Sequence, residues 1–184
     1  MTDLTSSNFG LLIAYLIPGF LIVLSMEEYS PLIASWLGGS IANAPTVGGF
    51  LFITLAAVAA GMTASAVRWL LLDTLHHHTG IKRPEWNFAS LPKNLAAFES
   101  TVDNHYRYYQ AYANLLVAIM VAVLLHPHFP SEFGYSPAIG YSIVLLLALL
   151  LFAASRDAMQ KYYARTCAIL NSSDQEISND ERLA

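Results

Sequence analysis

The chain has 184 residues, of which 55% are hydrophobic and only 12% are charged, and its mean hydropathy is +0.47. Soluble domains carry about 25% charged residues, so this composition excludes an ordinary soluble protein and predicts an integral membrane protein. The net charge is −4, and a single cysteine, Cys167, excludes an intrachain disulfide. The basic residues are few and interleaved with acids, so we expect no nucleic-acid partner.

Long runs without charge supply the predicted membrane spans. Each exceeds the ~20 apolar residues that cross a bilayer core, and backbone groups in lipid must be satisfied within a helix. We therefore predict an all-α, polytopic membrane protein with four transmembrane helices, of which helices 2, 3 and 4 have long cytoplasmic extensions. The helices cover about residues 9–26, 47–78, 91–125 and 137–170. They form one domain, residues 1–170, followed by an acidic tail, residues 171–184, that we expect to be disordered.

The first predicted helix contains the pair Pro18 and Gly19. Proline has no amide hydrogen to donate to the carbonyl of Ala14, so we expect a kink at this point. In a membrane such a break is tolerated where neighbouring helices or water satisfy the freed carbonyl. The pair therefore predicts either a packing kink or part of a substrate or ion path.

The second predicted helix carries small residues at four-residue spacing, which let helix backbones approach closely in lipid. The partner is either another helix of this chain or a second copy. The helix is expected to end with histidines in its last turn, Gly80 just beyond them and Pro84 soon after. The two series of small residues are Ala56, Ala60 and Ala64, and Ala57, Gly61 and Ser65.

The orientation follows from the positive charges. When loops are assigned to alternate sides, all nine Lys/Arg residues fall on one side, while the opposite loops hold Glu27, Glu28 and Glu132. By the positive-inside rule, both termini and the central hairpin, residues 73–108, are cytoplasmic. The short polytopic form and the run HYRYYQ at residues 105–110 resemble those of small bacterial inner-membrane proteins, so the predicted location is the bacterial inner membrane.

Polar chemistry is concentrated in residues 68–110, which we call the polar hairpin. If the second and third helices pack antiparallel with Arg68 beside Tyr109, a regular helical count places Asp73 near Asn104 and His105. The same count places His76 and His77 near Glu99 and Thr101. The predicted polar cluster consists of Arg68, Asp73, His77, Glu99, Asp103, His105 and Arg107.

Three interpretations of this cluster stay open. In the first, it is a network that locks helix ends: Asp103 and Arg107 are four apart, and Arg68 needs an acid partner at the edge of the apolar span. In the second, the hairpin is a gate or docking surface. In the third, the cluster binds a divalent metal that activates water, with one open coordination position, although no His-Glu-x-x-His signature is present. The candidate metal ligands are Asp73, His76, His77, Glu99 and His105.

The function that the sequence favours is a small, homo-oligomeric component of the inner membrane. It would signal, gate or dock a cytosolic protein through the polar hairpin, with a pore-forming effector as one variant. The alternative is a metal-dependent hydrolase acting on a lipid or phosphoester at the cytoplasmic face. The expected partners are the lipid bilayer, other copies of the chain and a cytosolic protein. No cofactor is certain, and a divalent metal belongs to the alternative.

Overall fold

The structure, a computed structural model, describes residues 10–37, 47–125 and 136–183. Every element in these ranges is helical, which confirms the all-α class. A short helix, Pro31–Leu37, lies between the first two long ones. The four long helices are α1 (Leu12–Ser25), α2 (Val47–His78), α3 (Phe88–Leu125) and α4 (Pro137–Leu183).

Three of these helices, α2, α3 and α4, are long and apolar enough to cross a membrane. The remaining helix, α1, is apolar but shorter, from Leu12 to Ser25. Its predicted start at residue 9 lies outside the described residues. Large apolar side chains cover the outer faces, among them Phe50 and Leu55 on α2 and Leu146 on α4. Exposed apolar surface of this extent is typical of contact with lipid or with another chain.

The backbone of α4 continues beyond the predicted end. Its helix runs to Leu183, where the sequence predicts a disordered tail at residues 171–184. Residues 171–183 contain neither glycine nor proline, so no residue in this segment breaks the helix. The acidic composition of the tail therefore does not end α4 at residue 170.

The central helix of the bundle is α3, which packs against α1, α2 and α4. In the most apolar 18-residue stretch of each helix, 50% of α3 is buried, compared with 22% of α2 and 17% of α4. At the end remote from the polar hairpin, the hydroxyl of Tyr29 donates to the carbonyl of Leu125. The segment after α1 thus caps a free carbonyl at the C-terminus of α3.

The third helix is less regular than predicted. It is continuous from Phe88 to Leu125, but Asn94 has φ −116° and ψ 16° and bends its first turns. The Asn94 amide donates to the carbonyl of Ile169 in α4 at 3.1 Å. Asparagine side chains compete for backbone partners in this way, so a tertiary hydrogen bond accompanies the local distortion.

The second helix ends at His78, as the sequence predicts. Gly80 has φ +101°, a conformation that favours glycine. The Gly80 amide donates to the His77 carbonyl, and the Ile81 amide donates to the His76 carbonyl. This Schellman motif satisfies two carbonyls at the helix end and turns the chain into the polar hairpin.

The small residues of α2 face α1 of the same chain. A Cβ placed on Gly61 would lie 2.0 Å from the carbonyl oxygen of Tyr15, and one placed on Gly19 would lie 1.7 Å from that of Ala57. The two backbones therefore cross at a distance that only glycine permits. The buried face of α2 takes residues from both predicted series: Ala57 and Gly61 from one and Ala64 from the other. The remaining members, Ala56, Ala60 and Ser65, are half-buried.

The carbonyl that Pro18 leaves free has a side-chain partner. The Asn114 amide of α3 donates to the carbonyl of Ala14 at 2.7 Å, and both residues are fully buried. A wide, π-type turn at Leu12–Leu16 precedes Pro18. The hydrogen bond that Pro18 removes from α1 is thus replaced by one from α3.

We expect Asn114→Ala to lower the free energy of unfolding by about 1–2 kcal/mol, because the Ala14 carbonyl stays buried without a donor. In a Pro18→Ala background the cost is smaller, because an amide at position 18 can bond to that carbonyl. The measurement is a double-mutant cycle by chemical unfolding in detergent. Equal costs in the two backgrounds would show that Asn114 does not compensate for the proline.

Candidate functional site

Three π-type turns lie together at the basic end of the bundle. They occupy Leu12–Leu16 in α1, Trp69–Asp73 in α2 and Val102–Tyr106 in α3. Residues from all three turns line one groove. Such turns are rare in proteins, and those that occur often lie at functional sites. Three of them lining one groove therefore mark this end of the bundle as the candidate site.

The centre of the site is Arg68, which is 4% exposed. Its Nη1 lies 3.9 Å from Oδ1 of Asp73, and its Cζ lies 4.9 Å from the centroid of the Tyr109 ring. The Tyr109 hydroxyl donates to the same Asp73 oxygen. Arg68, Asp73 and Tyr109 therefore form one unit, in which the acid and the aromatic face neutralise a buried charge.

The π-type turn of α2 makes this unit possible. In a regular α-helix, residues five apart point about 140° away from each other. The wide turn Trp69–Asp73 closes hydrogen bonds between residues five apart, so Arg68 and Asp73 face the same side. The partner of Asp73 is consequently Tyr109, and not Asn104 or His105 as the regular count predicts.

The same turn redirects the histidines that follow it. His76 Nε2 lies 3.0 Å from the Ser155 hydroxyl, and His77 Nε2 lies 3.2 Å from the Tyr163 hydroxyl. Both partners belong to α4. The prediction that these histidines face Glu99 and Thr101 of α3 is therefore corrected: their hydrogen bonds join α2 to α4.

The pair formed by Ser155 and His76 is structural. Both residues are 0% exposed, so no substrate reaches the hydroxyl. Ser155 donates its proton to the carbonyl of Phe152 at 2.9 Å, which leaves its oxygen to accept from His76 Nε2–H. His76 Nδ1 has no hydrogen-bond partner, so the ring lacks the orienting third group of a nucleophilic triad.

The polar hairpin is tied to α4 along its length. Arg156 donates to the hydroxyl of Thr79 at 2.6 Å and to its carbonyl at 2.7 Å, which places a cation at the C-terminus of α2. Further along, the Ser90 hydroxyl donates to the Leu170 carbonyl. The Asn87 amide donates to the side chain of Asn171 at 3.3 Å. These bonds attach the link between α2 and α3 to α4.

The other predicted cluster residues lie apart from this unit. Arg107 donates to Gln110 at 3.2 Å, and Gln110 donates to the Tyr15 hydroxyl of α1 at 3.2 Å. Within the described residues Arg107 makes no ion pair with Asp103, which corrects the pairing predicted from their spacing. Glu99 is exposed, because it faces away from the helices that α3 packs against.

The candidate metal ligands are not gathered. In residues 10–37, 47–125 and 136–171, no three His, Cys, Asp or Glu side chains are placed to hold one metal ion. His76 and His77 contact α4, and the buried Nε2 of His105 has no hydrogen-bond partner. The structure therefore does not bring three of the five predicted ligands to one point. These ligands are Asp73, His76, His77, Glu99 and His105.

Several residues of the site were not predicted from the sequence. Asn114 and Gln110 carried a signal, because each is a polar residue at the start of a long apolar run. Ser155 and Thr79 carried none, since serine and threonine are common in membrane helices and at helix ends. Their roles depend on partners about 80 residues away in the chain.

A pocket of about 450 Å³ opens beside the central unit. Its wall is aromatic and cationic, and it includes Arg68, Asp73, Arg83, Trp86, Tyr106 and Tyr163. A second pocket of about 330 Å³ shares Trp69, Asp73 and Arg83 with it and is also lined by His77. Sites of this size admit small molecules or a lipid head group.

Comparison with known proteins yields no match, whether with family models, with curated proteins or with solved structures.

We expect Tyr109→Phe to lower the free energy of unfolding by about 1–3 kcal/mol, because Asp73 loses its hydroxyl donor while the ring stays under Arg68. Tyr108→Phe is the matched control, since Tyr108 is exposed and adjacent in sequence. Chemical unfolding in detergent measures both variants. If the two substitutions have equal effects, the Tyr109 hydroxyl does not support Asp73.

Proposed function

We propose that the protein is a four-span component of the bacterial inner membrane, with both termini in the cytoplasm. It works as a homo-oligomer that passes a cytosolic signal from the polar hairpin to its transmembrane helices. The hairpin is the docking site for the cytosolic partner, and a gated pore is one form that the response takes.

The observation that carries this proposal is the attachment of the hairpin to α4. The contacts of Arg156 with Thr79 are exposed polar pairs near the basic end of the bundle, and the contact of His77 with Tyr163 is half-buried. Hydrogen bonds at such a position exchange with water at little net cost, unlike a packed apolar core. A partner that pulls on the hairpin would therefore move α4, and two alternative arrangements of these bonds would form a switch.

The exposed apolar surface of α4 supports the oligomer. Its residues 141–150 are exposed or half-exposed on all sides, and among them Leu145, Leu146 and Leu150 are at least 60% exposed. Lipid covers such a surface in a monomer, and another copy covers part of it in an assembly. The metal-dependent hydrolase has no comparable support, because the candidate ligands are not gathered.

The proposed orientation predicts opposite labelling of two introduced cysteines. With Cys167→Ser as background, we expect Glu27→Cys to react with a membrane-impermeant maleimide in intact spheroplasts. Lys82→Cys reacts only after the membrane is opened, because the hairpin faces the cytoplasm. Both positions are exposed in the structure. Labelling of Lys82→Cys in intact spheroplasts would invert the topology and remove the cytosolic partner.

The coupling between hairpin and α4 is tested with Arg156→Gln. We expect faster amide hydrogen exchange both in residues 79–90 and in residues 162–171, because the bonds to Thr79 are lost. Lys161→Gln is the matched control, since Lys161 pairs with Asp157 within α4 at 2.6 Å. Exchange that rises only in residues 79–90 would contradict the coupling. A monomeric mass in native mass spectrometry would overturn the oligomer and the pore.

A further inference from the structure

An apolar groove runs along the outside of the bundle between α1 and α2. Its volume is about 880 Å³, within the range of ligand sites. At the basic end it shares Arg68, Trp69 and Tyr106 with the aromatic and cationic pocket. The groove and the pocket are therefore continuous. The apolar wall includes Leu11, Leu12, Leu16, Val58, Met62 and Ala66.

The dimensions of the groove fit one lipid chain. On α2 it extends from Thr54 to Trp69, which at 1.5 Å per residue is about 22 Å. One leaflet of the hydrocarbon core is about 15 Å thick. A chain that starts at the polar end can therefore lie in the groove along the whole depth of its leaflet.

The polar end of the groove offers unused hydrogen-bond donors. Arg68 Nε and Nη1 are buried and have no hydrogen-bond partner; Nη1 is 3.9 Å from Asp73, beyond hydrogen-bond distance. Arg83 adds a second guanidinium to the same pocket. Two guanidiniums against one carboxylate leave a net positive charge. Guanidinium forks match phosphate oxygens in geometry and charge.

We propose that the groove and the pocket together bind one anionic phospholipid. The phosphate oxygens accept hydrogen bonds from Arg68 and Arg83, and an acyl chain lies along the apolar wall between α1 and α2. Trp69, which is 61% exposed, contacts the lipid at the boundary between head group and chain, where tryptophan is favoured. This inference rests on the membrane placement in the proposed function and identifies the ligand of its basic end.

The bound phospholipid would also affect the hydrogen bonds that attach the polar hairpin to α4. Asp73 and the phosphate compete for the same guanidinium of Arg68. A bound phosphate therefore weakens the hold of Arg68 on Asp73, at the turn from which His76 and His77 reach α4. Lipid occupancy and the attachment of the hairpin to α4 are thus linked.

The test uses Trp69 and Trp86, which both line the proposed site, as reporters in the full chain carrying Trp36→Phe. The protein is reconstituted in phosphatidylcholine vesicles that contain a small fixed fraction of brominated lipid, which quenches tryptophan on contact. We expect brominated phosphatidylglycerol to bind about threefold to tenfold more favourably than brominated phosphatidylcholine. We expect this preference to be lost in two variants. Arg83→Gln removes a phosphate donor from the pocket, and Ala66→Phe fills the groove.

Two matched controls keep the wild-type preference. Lys82→Gln removes one positive charge next to Arg83, but Lys82 does not line the pocket. Ala59→Phe adds a phenyl ring to an exposed position of α2 that does not line the groove. Arg83 and Ala66 are exposed, so their variants fold without disturbing the buried pair of Arg68 and Asp73.

Each other outcome is decisive. Equal quenching by the two brominated lipids overturns the lipid site and leaves the membrane placement intact. If neither lipid quenches the two tryptophans, both the site and the placement fail. If inorganic phosphate in solution removes the preference for phosphatidylglycerol, the pocket takes a soluble anion and the lipid proposal is wrong.

Discussion

The charge of Arg68 is the constraint on which the bundle depends. It is buried among apolar helices, and an unpaired charge within a membrane span costs at least about 2.5 kcal/mol. Asp73 neutralises it, and Tyr109 both holds the acid and presents its ring face to the guanidinium. Because the carboxylate and the phenol come from different helices, this unit fixes the rotation and the register of α2 against α3.

The remaining contacts of the bundle follow from that register. With α2 fixed against α3, the small residues of α2 form a surface that α1 approaches at glycine distance. The same approach brings the carbonyl of Ala14 to Asn114. The carbonyl of Ala14 and the carboxylate of Asp73 thus each have a donor on α3, as groups without access to water require. The apolar remainder of α2 and α4 then faces outward.

The basic end combines tight packing with exchangeable contacts. The unit around Arg68 is buried, whereas the bonds from Arg156 of α4 to Thr79 of the hairpin are exposed. A site that is rigid at its centre and exchangeable at its edge suits the transmission of a signal. The groove between α1 and α2 reaches this same point, so the proposed lipid would act on the buried centre and the proposed cytosolic partner on the edge.

The sequence by itself determined the helical class, the extents of α2 and α3, the end of α2 at Gly80 and the need of Arg68 for an acid, because periodicity, length and charge are local. Only the tertiary structure decided which residues meet. The π-type turn at residues 69–73 places Asp73 beside Arg68 and Tyr109, and no pattern in the sequence marks this turn. The partners of Ser155 and Asn114 lie 79 and 100 residues away in the chain, so local periodicity and spacing cannot predict them.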